Sequence, residues 1–131
     1  MKDKIENTVS DAIPAKKFAV GNDLIFIPNF KNSFTPEFQN KVYTANEIAY
    51  CGQFDDSLLR YASTWAAKEA VYKAVKQLSD LVLGWDKIEI IREKIAGKPA
   101  VTLHQYPVQY QISLTITHDG DYVWAIAMIE K

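Results

Sequence analysis

From residue 58 to about residue 78 the chain carries apolar side chains at helical spacing: Leu58, Ala62, Trp65, Ala66, Val71, Ala74, Val75 and Leu78. A 3.6-residue period over that length predicts one amphipathic helix about 30 Å long. Such a stripe has to be covered, and the remaining patterns supply strands to cover it. Residues 18–27 are rich in β-formers and are stopped by Pro28-Asn29. Residues 85–92 alternate in part, 100–103 form a short strand, and 111–117 and much of 121–130 alternate polar with apolar. His118-Asp-Gly-Asp121 marks a hairpin between the last two, and Gly97-Lys-Pro99 a turn. One or two short helices are expected over 34–51. Thr35-Pro36-Glu37 is a helix start, and Thr44-Ala-Asn-Glu47 matches a capping box in which Glu47 reaches back to the Thr44 amide. Strand, helices, then strands with hairpins is the order of an α+β domain, with antiparallel sheet packed on one long helix and shorter ones.

A length of 131 residues suits one domain. Residues 1–17 lack a sustained apolar period and are expected to form a polar arm, peripheral or disordered, ahead of a domain over 18–131. No apolar run approaches the roughly 20 residues of a bilayer span, and the first residues lack a signal peptide's apolar stretch. A cytoplasmic location and no membrane partner are therefore expected. With 15 basic and 16 acidic residues the net charge is −1, which gives no global field for nucleic acid. Lys16, Lys17, Lys31 and Lys41 read as scattered solvated cations. Cys51 is the only cysteine, which excludes an intrachain disulfide and a thiolate metal cluster.

Two features carry chemistry. Asp23 sits in the middle of an apolar strand, where a carboxylate is costly to bury unless it is paired or bound to a metal. Glu69 and Lys73 are four apart on the long helix, with Trp65 one turn earlier on the same face. An i,i+4 ion pair accounts for those two at roughly a few tenths of a kcal/mol. Ala66 and Ala67 beside them let another strand or a ligand come close. Lys68, Glu69 and Lys73 together suit a metal bridged to a phosphate, the carboxylate on Mg²⁺ and the lysines on phosphate oxygens. Mg²⁺ takes only one or two protein carboxylates, so a strand Asp meeting a helix Glu would be enough. Spacing leaves open whether Asp23 and Glu69 meet, or belong to a metal-free structural domain in which they stay apart.

Over nearly all of residues 19–130 the chain resembles the holo-acyl-carrier-protein synthase type of 4′-phosphopantetheinyl transferase. Val20-Gly-Asn-Asp-Leu-Ile-Phe-Ile27 resembles that family's opening Gly-x-Asp strand. Phe38, Lys41-Val-Tyr-Thr44 and Glu47 resemble its Phe-x-x-(Arg/Lys)-(Ile/Val)-x-Thr-x-x-Glu segment. Trp65-Ala-Ala-Lys-Glu-Ala-Val-Tyr-Lys73 matches its (Phe/Trp)-Ala-Ala-Lys-Glu-Ala-x-x-Lys motif at every fixed position. Gly97-Lys-Pro99 matches its β-turn, and Ile112 to His118, with Tyr122 and Ala125, resembles its closing hairpin.

The resemblance implies Mg²⁺-dependent transfer of phosphopantetheine from coenzyme A to a serine of an acyl or peptidyl carrier protein, releasing 3′,5′-ADP. It implies metal carboxylates at Asp23 and Glu69, coenzyme A phosphate contacts at Lys73 and Lys68, and the nucleotide end near His118. The serine proton would go to Glu69 or to a water on the metal set by Glu47. A single unit of this size implies a homotrimer with sites between subunits. Three departures stand out: Thr64 where many members carry Arg, Pro28-Asn29-Phe30 and Lys31 in place of basic carrier-docking residues, and residues 74–79 reading as helix in place of a Gly-Thr-Gly loop. They keep a second reading open, a degenerate module that binds coenzyme A or a carrier without turnover.

Overall fold

The computed structural model describes residues 18–92 and 98–130. The arm expected over 1–17, and Gly97 of the expected turn, lie outside those residues. The chain begins with β1 (Phe18–Phe26) and the short helices α1 (Ile27–Ser33), α2 (Pro36–Val42) and α3 (Ala45–Cys51). The long helix α4 (Ser57–Val75) follows, then a 3₁₀ turn (Trp85–Lys87), β2 (Ile88–Arg92), β3 (Pro99–Leu103), β4 (Gln111–Asp119) and β5 (Tyr122–Glu130). The α+β expectation holds, with two antiparallel sheets: β1-β5-β4 and the pair β2-β3. Among the described residues no helix is long and apolar enough to cross a membrane.

Four boundaries differ from expectation. Pro28 opens a helix instead of ending a strand in a loop, because at the first helical turn its missing N–H has no partner to lose. The long helix stops at Val75. There Gln77 and Leu78 donate back to Ala74 and Val75, so the last turn tightens and no helix runs on through residue 79. Residues 85–87 form a 3₁₀ turn, and only 88–92 are strand. His118 lies within β4, since Asp119 pairs with Tyr122 and leaves Gly120-Asp121 as the loop, with Gly120 at φ 56°.

Helix α4 is the centre of the fold. It lies against β1, β5 and β4 on one side and against β2 and α3 on the other. Burial therefore extends well beyond one stripe, to Tyr61, Ser63, Thr64, Ala67, Lys68 and Ala70 as well as the expected apolar positions. Alternate residues of the strands face the helix: Ala19, Gly21, Asp23 and Ile25 of β1, Val123 to Ile129 of β5, and Leu114 of β4. Aromatic rings fill the opposite flank, where Trp65 meets Phe38 at 5.2 Å and Trp85 at 4.7 Å.

At Gly21 the backbones of strand and helix come into direct contact. A Cβ there would fall 2.0 Å from the Ala70 carbonyl oxygen and 2.7 Å from the Ala74 amide nitrogen, both backbone atoms. Gly21→Ala should therefore force β1 off α4 and cost about 3 kcal/mol or more, since overpacking against backbone cannot relax by a rotamer change. A melting curve checks this, and an unchanged midpoint would refute the contact.

Candidate active site

Because Gly21 seats β1 on α4, the next helix-facing residue of the strand, Asp23, comes against the helix where Glu69 and Lys73 project. The Lys73 ammonium donates to Asp23 Oδ1 at 3.0 Å and to the Asn22 carbonyl at 3.1 Å. Asp23 Oδ2 is buried and has no partner among the described residues. Glu69 stands beside it: burial, the adjoining Asp23 carboxyl and its charge push the Glu69 carboxyl up to about 8, against the pull of Lys73. Two carboxyls crowded at the foot of a half-buried site repel each other when both are ionised. A divalent cation held by Asp23 and Glu69 would remove that repulsion and give the orphaned oxygen a partner. The pair thus fits Mg²⁺, which leaves most of its coordination to water and phosphate. Among the described residues no cluster of three or more metal-ligating side chains occurs.

The other two motif residues go elsewhere. Lys68, expected at the coenzyme A phosphates, is wholly buried and donates to Glu47 Oε1 at 2.5 Å. Neighbouring helical residues project about 100° apart, so Glu69 meets β1 while Lys68 points toward α3 and β2. Burial pushes the Lys68 ammonium below its ordinary value, and Glu47 opposes that shift. The Glu47 capping box forms as expected, with Thr44 N donating to Oε1 and Thr44 Oγ1 accepting from Glu47 N. Glu47 Oε2 accepts from Ile90 N of β2 at 2.8 Å. Both oxygens are therefore taken inside the fold, and neither faces Asp23. Sequence reasoning did not anticipate the rest of this network. Thr44 Oγ1 also donates to Glu89 Oε2 at 2.5 Å, and Glu89 Oε1 pairs with His104 at 3.1 Å.

The chain that brings together this strand Asp, helix Glu and helix Lys is similar to known proteins over most of its length. A family model for the 4′-phosphopantetheinyl transferase superfamily covers residues 19–127. The chain belongs to that superfamily. It is 36% identical over 114 residues to the holo-[acyl-carrier-protein] synthase of Chlorobaculum parvum, covering 85% of this chain and 97% of that one. It is 30% identical over 120 residues to that of Aquifex aeolicus, covering 86% and 98%. Among solved structures, the Chronobacterium ammoniagenes ACPS-CoA complex superposes with a TM-score of 0.73 at 25% identity, over 88% of this chain and 98% of that one. The Mycobacterium tuberculosis acyl carrier protein synthase gives 0.66 at 30% identity, over 86% and 96%.

In this superfamily chain His118 lies on β4 and Asp23 on β1, with β5 between them, so the two stand at opposite edges of one sheet. His118 lines a cavity of about 680 Å³ with Tyr50, Phe54, Asp56, Arg60 and Arg92, among others. Neither arginine was singled out by motif, since each stands outside a matched segment. Thr64 turns inward, its hydroxyl donating to the Arg60 carbonyl at 2.9 Å and lying 3.6 Å from Cys51 Sγ. Burial raises the Cys51 thiol above its ordinary value, in keeping with an inert core residue.

The Glu47–Lys68 pair gives a direct test of scaffold against ligand contact. Lys68→Met leaves Glu47 buried without its cation, and breaking such a pair costs about 3–5 kcal/mol. Chemical denaturation should show a loss of that order, whereas Lys73→Met, at an exposed position, should change stability by less than about 1 kcal/mol.

Proposed function

We propose that this chain transfers 4′-phosphopantetheine from coenzyme A to a serine of an acyl carrier protein, with Mg²⁺ held by Asp23 and Glu69. The observation carrying this reading is the convergence of Asp23 and Glu69 from two elements, leaving one buried carboxylate oxygen unpartnered among the described residues and one half-exposed lysine beside it. The holo-[acyl-carrier-protein] synthases of similar length and the ACPS-CoA complex support the substrate pair.

Phosphoryl transfer depends mainly on positioning and charge neutralisation. The serine oxygen forms a bond to the phosphorus that carries the pantetheine arm, and the bond from that phosphorus to the oxygen of 3′,5′-ADP breaks. Magnesium, when bound, supplies charge to polarise the diphosphate. Lys73, exposed at the rim and oriented by Asp23 and the Asn22 carbonyl, compensates charge on the departing 3′,5′-ADP. Glu69 accepts the serine proton, since both oxygens of Glu47 are already held by donors. An apolar groove of about 500 Å³ runs from Leu24 and Phe26 past Phe30 and Phe38 to Trp65, one residue beyond Asp23 and one turn before Glu69. Its size and apolar lining suit the pantetheine arm.

A homotrimer with sites between subunits is the assembly we infer. The face of the β1-β5-β4 sheet turned away from α4 exposes Phe18, Val20, Leu24 and Phe26 of β1 beside Tyr122, Trp124 and Met128 of β5. An exposed apolar patch of that kind, interrupted on β1 by Asn22, marks an interface. Copies joined side by side also bring the Asp23 edge of one sheet toward the His118 edge of the next. The location that fits this chemistry is the cytoplasm. The inward turn of Thr64, which leaves no cation at that helix position, favours the degenerate coenzyme A binding module as the second reading.

Incubating the protein with coenzyme A, Mg²⁺ and an apo carrier protein should raise the carrier's mass by one phosphopantetheine. Glu69→Gln should cut that rate by at least about a hundredfold with an unchanged fold. Near-parent transfer by the variant would sink the assignment, and an unmodified carrier with the parent would favour the binding module. Trp124→Glu should sediment as a monomer and lose transfer. A parent that is active as a monomer would overturn the trimer.

A further inference from the structure

Gln77 stands on the tightened turn that follows Val75, and the reaction as described gives it no part. Its side-chain nitrogen donates to two elements at once, to the Val20 carbonyl of β1 at 2.6 Å and to the Lys73 carbonyl of α4 at 3.3 Å. Both neighbours are carbonyl oxygens, so both amide protons are committed and the strand is tied to the end of the helix. One turn earlier, the Lys73 ammonium donates to the Asn22 carbonyl at 3.1 Å. The two ties straddle Gly21, where the backbones of strand and helix touch. Their spacings match. Four helical residues, from Lys73 to Gln77, rise about 6 Å. Two strand residues, from Asn22 to Val20, span about 6.7 Å. The strand therefore runs antiparallel to the helix with its carbonyls in step with one helix face, and that face carries Glu69 one turn before Lys73.

We propose that Gln77 is a positioning residue: by tying Val20 to the end of α4 it holds Asp23 level with Glu69, and so raises the affinity of that pair for a divalent cation. This rests on the reading of Asp23 and Glu69 as the metal carboxylates, and it adds the residue that fixes their offset along the strand. Packing at Gly21 sets how close the two backbones lie. A hydrogen bond, which weakens steeply off its axis, also fixes where along the strand they meet. The Lys73 tie is drawn on by the reaction itself, because the same ammonium compensates charge on the departing 3′,5′-ADP. When that ammonium turns to phosphate, the Gln77 tie remains. Gln77 is exposed and uncharged, so it acts on the site through geometry and adds no field of its own. It lies within 74–79, where this chain departs from the Gly-Thr-Gly loop of the family pattern, so the tie belongs to this chain in particular.

Mn²⁺ takes the same oxygen-lined octahedral sites as Mg²⁺, and its binding to the protein alone is read from the loss of the free ion's electron paramagnetic resonance signal. The parent should bind it, and Asp23→Asn should abolish that binding. Gln77→Met, which keeps the length and removes the donors, should raise the Mn²⁺ Kd by about three- to tenfold, the fold-change to which one lost hydrogen bond converts. Gln77→Ala should do the same, since the donors and not the bulk are what matter. Ser79→Ala is the control. It removes the bonds from the Tyr106 hydroxyl and the Leu81 amide that pin the following loop, and touches nothing on β1. Its Kd should stay within about twofold of the parent's. In transfer assays Gln77→Met should raise the Mg²⁺ concentration for half-maximal rate by the same factor as the Mn²⁺ Kd, and leave kcat at saturating Mg²⁺ within about twofold. A Gln77→Met variant with the parent's Kd overturns the proposal, as does a Ser79→Ala variant weakened to the same extent. A parent that binds no Mn²⁺, or an Asp23→Asn variant that still binds it, overturns the proposal together with the metal reading. A parent whose Mn²⁺ affinity falls with Gln77→Met, yet which modifies no carrier, leaves this inference standing and defeats the transfer reading.

Discussion

The close seating of β1 on α4 at Gly21 is the contact on which the site depends. With backbone atoms of Ala70 and Ala74 where a Cβ would be, strand and helix touch without intervening side chains. Asp23, two residues further along the strand, then reaches the level of Glu69 and Lys73 on the helix. A larger residue at position 21 would separate the two elements, and the carboxylates would no longer crowd one another. The Gly-x-Asp spacing therefore has a packing meaning as well as a chemical one: glycine sets the distance and aspartate uses it.

A second constraint fixes the helix from its other side. Lys68 and Glu47 form a pair shut off from solvent, and Glu47 also holds Thr44 N and Ile90 N. One carboxylate thereby ties together α3, α4 and β2. Burial disfavours the Lys68 ammonium, and the ion pair with its added hydrogen bonds offsets that cost. Around it, Glu89 is likewise held: burial works to raise its carboxyl, but hydrogen bonds from Thr44 and His104 outweigh this and draw it below the ordinary value. Consecutive motif residues Lys68 and Glu69 thus divide between the buried scaffold and the candidate site, because the helix points them to different faces.

Much of the fold was legible in local pattern. The capping box at Thr44 and Glu47, the Thr35 cap, the long helix and the closing hairpin all formed where their residues indicated. Boundaries were less so, and for specific reasons. Pro28 serves equally to end a strand or to open a helix, and only the fold of the following Phe30, packed into the core, decides between them. Residues 76–79 carry helix-compatible side chains, yet the chain turns there through i→i−3 bonds to reach Leu83 in the core. Of the site, Asp23, Glu69 and Lys73 could be named as candidates, but Lys68 and Glu47 read as site residues because composition records their charge and not their direction.

The sequence by itself determined the element order, the α+β class, and the presence of a strand carboxylate and a helix Glu-Lys pair, because propensity, caps and periodicity act within a few residues. Only the tertiary structure decided that Asp23 and Glu69 meet, that Lys68 is consumed by Glu47, and that Arg60 and Arg92 converge on one cavity with His118. Those facts depend on residues tens of positions apart being brought within a few ångströms, by a glycine contact and a buried ion pair whose strength comes from exclusion of water.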